Sequence, residues 1–224
     1  MFILVAVKDT IPVPPKAFAL PPHITIKDAI NRKYSNKLVS QKGLGLSVWD
    51  ILTAEDGKVT WGNGLMYYKV SFRLMLFSPF ISEIIVGKVL SSSKKYIRIS
   101  LGFFRDIYIL PAFLPPNSAF DQDENKWFWY SDEDDRVYSQ IELLNTIYTQ
   151  RLYIDIGEPV RFRVDSIEWQ DIRPPPPPNE LGELPPQKDP IDRAGMKVLA
   201  TIAESGLGVV SWWDGQEEEV VMEE

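Results

Sequence analysis

The sequence predicts a β-rich chain in two parts: an α+β unit over residues 1–80, then an all-β barrel with long insertions over residues 81–215, followed by an acidic tail over 216–224. Three observations predict this. A single helical stripe, Ile26, Ile30 and Tyr34, stands in the first part. Period-two alternation runs through Val70, Phe72, Leu74 and Leu76 and returns in several short segments beyond residue 83. The charge changes sign: ten Lys and Arg stand against five Asp and Glu up to residue 80, and fourteen against twenty-six after it.

In the first part, Met1 to Val7 is apolar but has no basic start and no small-residue cleavage site before Lys8 and Asp9, so a first strand is expected and not a signal peptide. Ile11-Pro-Val-Pro-Pro15 is expected to end that strand, because proline cannot donate to a ladder. Thr25 and Asp28 suggest a capping box opening a helix over about 25–37, with Lys27, Arg32, Lys33 and Lys37 on its wet side. Gly43 to Ile51 reads as a strand, Glu55-Asp-Gly57 as a turn, Trp61-Gly-Asn-Gly64 as a loop and Tyr68 to Phe77 as a half-buried strand.

In the second part, strands are expected at Ile84–Leu90, Tyr96–Leu101, Ile107–Leu110 and Val160–Val164, with Lys197–Ile202 and Gly208–Trp213 together supplying the last. Five short, glycine-bent strands suit a small, partly open barrel of the OB type. Residues 115–157 and 171–195 are insertions. The first holds an acidic and aromatic run, Asp121 to Asp135, and then Val137, Ile141, Leu144 and Tyr148 at helical spacing; the second holds the stiff run Pro174–Pro178.

Several chemistries are excluded or unsupported. Without Cys there is no disulfide or thiolate metal site, and His23 alone gives a Ser nucleophile little choice of base. Asp132-Glu-Asp-Asp135 lacks the alternation and central glycine of a calcium loop, and neither Gly43-Leu-Gly45 nor Gly62-Asn-Gly64 leads into a phosphate-gripping Gly-Lys-Ser/Thr. No catalytic residue, metal or cofactor is expected. Leu65 to Gly87, broken by Lys69, Arg73, Pro79 and Glu83, is not expected to span a membrane. The acidic second half argues against wrapping duplex DNA, which needs dense basic surface.

One pattern points to single-stranded RNA. Alternation places Tyr96 and Arg98 on one face of the second barrel strand and Arg161 and Arg163 on the outer face of the fourth. Lys88, Lys95, Phe104, Arg105 and Tyr108 extend the set, joining rings for bases to cations for phosphates. Covering of a sheet by long cationic side chains explains the same residues without RNA. Burial at the barrel end or against a partner is expected of Trp212 and Trp213.

Taken in order, Met1-Phe-Ile-Leu-Val, Lys69-Val-Ser-Phe-Arg, Phe77-Ser-Pro-Phe80, Glu83-Ile-Ile-Val-Gly-Lys88, Ser100-Leu-Gly-Phe-Phe-Arg-Asp-Ile-Tyr-Ile109 and Gly206-Leu-Gly-Val-Val-Ser-Trp-Trp213 resemble the family of large stalk subunits of archaeal and nuclear RNA polymerases, in its polymerase III branch. The resemblance implies a non-catalytic nuclear subunit with an N-terminal tip domain that docks on the polymerase III core and an S1/OB domain facing nascent RNA. It also implies a heterodimer with a smaller helical stalk subunit. Docking on the core maps onto Gly62, Asn63 and Gly64. A free-standing S1/OB RNA-binding protein and a proline-rich scaffold using residues 174–178 are the alternatives.

Overall fold

The computed structural model describes residues 1–39, 41–130, 136–145, 151–171 and 189–213. The chain divides into two compact units, Met1–Pro79 and Phe80–Glu224. The acidic run Asp132–Asp135, Tyr148, Pro174–Pro178 and the tail over 216–224 lie outside the described residues.

The first unit contains β1 (Phe2–Val13), α1 (Pro22–Tyr34), β2 (Leu38–Val39), β3 (Gly43–Ala54), β4 (Lys58–Val59) and β5 (Met66–Phe77). Its sheet has the order β1-β5-β3-β2, with β4 also on β5. The alternation in β5 behaves as expected: Val70, Phe72, Leu74 and Leu76 are buried with Ile26 and Ile30 of α1. Two expectations are corrected. β1 does not stop before its prolines but runs on, with Pro12 opposite Tyr67 and Val13 opposite Met66. It is an edge strand, so a missing N–H on its outer side breaks no ladder. The capping box is also absent: α1 begins at Pro22, whose lost N–H is one a helix start leaves unused, and Thr25 Oγ1 donates to the Pro22 carbonyl at 3.0 Å. At the other end of α1, Asp9 of β1 accepts from Lys33 Nζ at 2.5 Å and from the Tyr34 hydroxyl at 2.6 Å. Burial and this bond to Asp9 push the Tyr34 hydroxyl up to about 12.

The second unit contains β6 (Ile84–Ser92), β7 (Ile97–Ser100), β8 (Ile107–Ile109), β9 (Ser118–Asp121), β10 (Lys126–Tyr130), α2 (Gln140–Leu144), β11 (Arg151–Tyr153), β12 (Pro159–Trp169), α3 (Pro190–Arg193), β13 (Met196–Thr201) and β14 (Gly208–Val209). β13 pairs in parallel with β8, through Val198 opposite Ile107, and antiparallel with β12. The path β6-β7-β8-β13-β12 therefore returns to β6, giving a closed five-stranded barrel where a partly open one was expected. Closure removes the exposed sheet edges that an open barrel would leave. Inside lie Ile97, Ile99, Ile107, Ile109, Phe162 and Val164, all essentially without solvent contact. Gly87 belongs to the same inner row: a Cβ there would stand 2.6 Å from Ile99 Cγ2.

The last barrel strand ends at Thr201. Gly208–Val209 adds only a two-residue bridge to β12, and Val210–Trp212 forms a 3-10 turn in place of the expected strand. Gly208, at φ 106°, lies under the Trp212 ring, where a Cβ would meet Cζ3 at 2.5 Å. Trp212 and Trp213 are half-buried, and both pack on Trp129 of β10, with ring centroids at 5.3 and 6.4 Å.

The first insertion folds into a three-stranded sheet, β11-β10-β9, joined by α2. The helix is shorter than the spacing suggested. Ser139 and Glu142 form a reciprocal capping box at its start, and Leu143 packs on Ala119 and Phe128, while Val137, Ile141 and Leu144 are exposed.

Gly87→Val would force a Cβ and two methyl groups into the packed space beside Ile99. A loss of about 1–3 kcal/mol is expected, read as a lower urea midpoint and faster amide exchange across residues 84–109 of the full chain.

Candidate nucleic-acid interface

The residues singled out from the sequence fall on neighbouring parts of the barrel: Lys88 on β6, Arg98 on β7, Tyr108 on β8 and Arg161 and Arg163 on β12, with Tyr96 just before β7 and Phe104 and Arg105 between β7 and β8. They form two groups. On β7 and β8, Arg98 stands directly opposite Tyr108, so both point outward. The Arg98 guanidinium donates from Nε to the Arg105 carbonyl at 2.8 Å and from Nη2 to Asp106 Oδ1 at 2.9 Å. It lies 5.7 Å from the Tyr108 ring, which Tyr96 meets edge-on at 5.2 Å.

This packing corrects two assignments. Tyr108 is fully buried and donates its hydroxyl to Asp106 Oδ1 at 3.2 Å; burial and the negative charge of Asp106 both raise its pKa. Phe104 is likewise buried. Neither ring offers an open face for a base, because each already packs against protein. Tyr96 remains half-exposed and Arg105 exposed, as are Lys94 and Lys95 in the turn before β7. Lys95 pairs with Asp189 at 2.7 Å, and that contact raises its pKa. Among the described residues Lys94 and Arg105 have no carboxylate partner.

On β6 and β12, Arg161 stands opposite Val86, Arg163 opposite Ile84 and Lys88 opposite Pro159. Arg163 Nη1 bridges Glu204 at 2.5 Å, and Arg161 Nη1 donates to the Gly206 carbonyl at 3.3 Å. The outward neighbours of these cations are aliphatic, so this group contains no ring for a base.

In the first unit, Gly62, Asn63 and Gly64 lie exposed between β4 and β5. The Asn63 side chain accepts from the Leu65 amide at 3.1 Å and donates to the Tyr67 hydroxyl at 3.0 Å, which holds the loop in one shape. Gly62 at φ 98° and Gly64 at φ 65° supply backbone angles that side chains rarely adopt. The loop carries a completely exposed indole, Trp61, which sequence reasoning placed in the loop without giving it a role.

Sequence reasoning also missed the polar centre of the first insertion. Arg151 and Asp121 are both buried, with Nη1 to Oδ2 at 3.2 Å. Arg151 Nη2 donates to the Leu144 carbonyl at 2.6 Å, and its guanidinium lies 4.8 Å from the Phe128 ring. Tyr153 donates its hydroxyl to Asp121 Oδ2 at 3.0 Å. Burial pushes the Asp121 carboxyl up, but bonds from the Asp123 amide, Tyr153 and the Glu124 amide, with the Arg151 charge, outweigh it and hold it below the usual range. The two residues are thirty positions apart, and nothing in their local sequence marks them as a pair.

The family described as RNA polymerase III subunit Rpc25 matches residues 83–213. This chain belongs to that family. The SHS2 domain found in the N terminus of Rpb7p and Rpc25p matches residues 8–64 of this Rpc25-family chain. DNA-directed RNA polymerase III subunit RPC8 of Bos taurus is 35% identical over 213 residues, covering 95% of this chain and 98% of the relative. The subunit of the same name from Schizosaccharomyces pombe is 31% identical over 214 residues, covering 95% and 100%. DNA-directed RNA polymerase subunit Rpo7 of Saccharolobus shibatae is 26% identical over 102 residues, covering 46% and 57%. The resemblance read from the sequence is thereby borne out.

Arg151→Met should cost about 3–5 kcal/mol of stability in the insertion, since it leaves the Asp121 carboxylate buried without its cation. Loss of near-ultraviolet circular dichroism from Trp127 and Trp129 reads it. Because the folded Asp121 pKa is depressed, its contribution is complete above the unfolded value near 4 and is lost as pH falls through the folded one. Asp121→Asn should therefore be less stable than the native chain at pH 7, with the gap narrowing below about pH 4 in urea titrations.

Proposed function

We propose that this Rpc25-family chain is a non-catalytic stalk subunit of nuclear RNA polymerase III that pairs with a smaller helical stalk subunit and contacts nascent single-stranded RNA through an OB/S1-type barrel. The observation that carries the RNA reading is the surface along β7 of a closed five-stranded barrel, where Arg98 stands between Lys94, Lys95 and Tyr96 in the turn before the strand and Arg105 in the turn after it. In OB barrels the second and third strands and the loop joining the first two are where oligonucleotides bind, and this face consists of those parts. A half-exposed ring beside cations grips a single strand through stacking and phosphate contact, with no need to read sequence. The strongly acidic balance of residues beyond 80 makes such a contact local.

Docking on the polymerase core is proposed for the loop holding Gly62, Asn63 and Gly64, with Trp61 as its anchor. A tryptophan that is fully desolvated on binding is the kind of residue that dominates an interface. Similarity to two RNA polymerase III subunits over nearly the full length, at 35% and 31% identity, supports the assembly reading over a free-standing RNA-binding protein.

Two experiments test this. Replacing Lys94, Lys95 and Arg105 together with Ala should weaken binding of a short single-stranded RNA. It should also lower the slope of log affinity against log salt by about 2, roughly 0.7 for each phosphate no longer neutralised. An unchanged slope rejects this face. Trp61→Ala should leave the fold intact and reduce co-purification with polymerase III core subunits at least tenfold; equal recovery rejects the loop as the docking point.

A further inference from the structure

The stretch after the last tryptophan carries Asp214, Glu217, Glu218, Glu219, Glu223 and Glu224 and no Lys or Arg. Its starting point is fixed. Trp213 packs on Trp129 of β10 with ring centroids at 6.4 Å and donates its indole N–H to the Leu207 carbonyl at 3.0 Å. Trp127 stands two residues before Trp129 on the same face of β10, because the side chains of a strand alternate. Its indole N–H donates to the Ser93 carbonyl at 2.8 Å, and Lys94 and Lys95 follow in the turn before β7. Tryptophan side chains therefore bridge the gap between the root of the acidic stretch and that turn, a distance under about 25 Å when two strand residues span ~7 Å. The eleven residues 214–224 reach about 35 Å when extended.

We infer that residues 214–224 dock through their carboxylates on Lys94 and Lys95 and cover that turn until single-stranded RNA displaces them. The inference rests on the RNA reading above, since the turn belongs to the surface proposed for RNA. Charge selects both occupant and place. Lys94 is exposed and has no carboxylate partner among the described residues, and Lys95 already takes one carboxylate of this chain, Asp189, in a pair exposed on both sides. The arginines of β12 are committed elsewhere, Arg163 to Glu204 and Arg161 to the Gly206 carbonyl. A single exposed ion pair is weak. Several on one tether act together, because docking within the chain needs no second molecule. The run of carboxylates then stands in for phosphates, and RNA has to exchange with it at the same ammonium groups. RNA binding consequently frees fewer counterions than it would on a bare turn.

The test uses the full chain. It contains no Cys, so Val221→Cys gives one attachment point for a nitroxide and leaves every carboxylate in place. At low salt the label should broaden the amide resonances of residues 93–98, and saturating single-stranded RNA or high salt should restore them. Replacing Glu217, Glu218, Glu219, Glu223 and Glu224 together with Gln should raise RNA affinity about tenfold at low salt. The same change should steepen the fall of affinity with salt and abolish the broadening. In a chain carrying Lys94→Ala and Lys95→Ala, these glutamine substitutions should change RNA affinity by less than about twofold. A gain that persists there is repulsion at a distance and overturns the docking. Broadening that is absent at low salt, or concentrated on residues 84–90 and 159–163, overturns it as well, and the RNA reading stands as long as RNA still binds. Native and glutamine-substituted chains that both fail to bind RNA overturn both readings.

Discussion

Everything outward on the second unit depends on β13 meeting two strands at once. Its parallel pairing with β8 and antiparallel pairing with β12 turn a ribbon of strands into a closed cylinder. Closure decides which residues of each strand face in, and the inner rows leave no space: Gly87 is there because Ile99 occupies the volume a side chain would need. Once the inner rows are fixed, so are the outer ones. Ile84, Val86 and Lys88 must share a wall with Arg161 and Arg163, and Arg98 must share the next with Tyr108.

The two walls differ in how their cations are held. On β7, Arg98 is fixed by the Asp106 carboxylate and the Arg105 carbonyl and lies beside rings, so it is pre-positioned at little further entropic cost. On β6 and β12, Arg163 has an exposed carboxylate partner in Glu204, and the surface between cations is aliphatic. Exposed ion pairs of this kind contribute little stability. The same residue type thus stands in two different surroundings, and its neighbours decide how firmly it is held.

Much of this was legible in the sequence, and the rest was hidden for identifiable reasons. Alternation in β5 and β7 and the stripe Ile26, Ile30 and Tyr34 were readable because burial on one face imposes a period. The continuation of β1 through Pro12 was not, because proline is tolerated only at an edge and the sequence does not say which strand is the edge. Lys126 to Tyr130 reads as an aromatic run, and only its pairing with β9 and β11 makes it a central strand. The short helix α2 did carry a signal, Ser139 with Glu142, which outweighed the looser spacing of Val137, Ile141 and Leu144. Tyr108 was read as extending the set of RNA contacts, but no pattern along the chain reports that its ring is already covered.

The central claim is that closing this barrel sets Arg98 and Tyr96 on an outward surface proposed to take single-stranded RNA. Amide hydrogen exchange on the full chain, followed with and without a saturating single-stranded RNA, tests it most directly. Protection concentrated in residues 94–108 is the predicted result. Protection confined to amides elsewhere would contradict it.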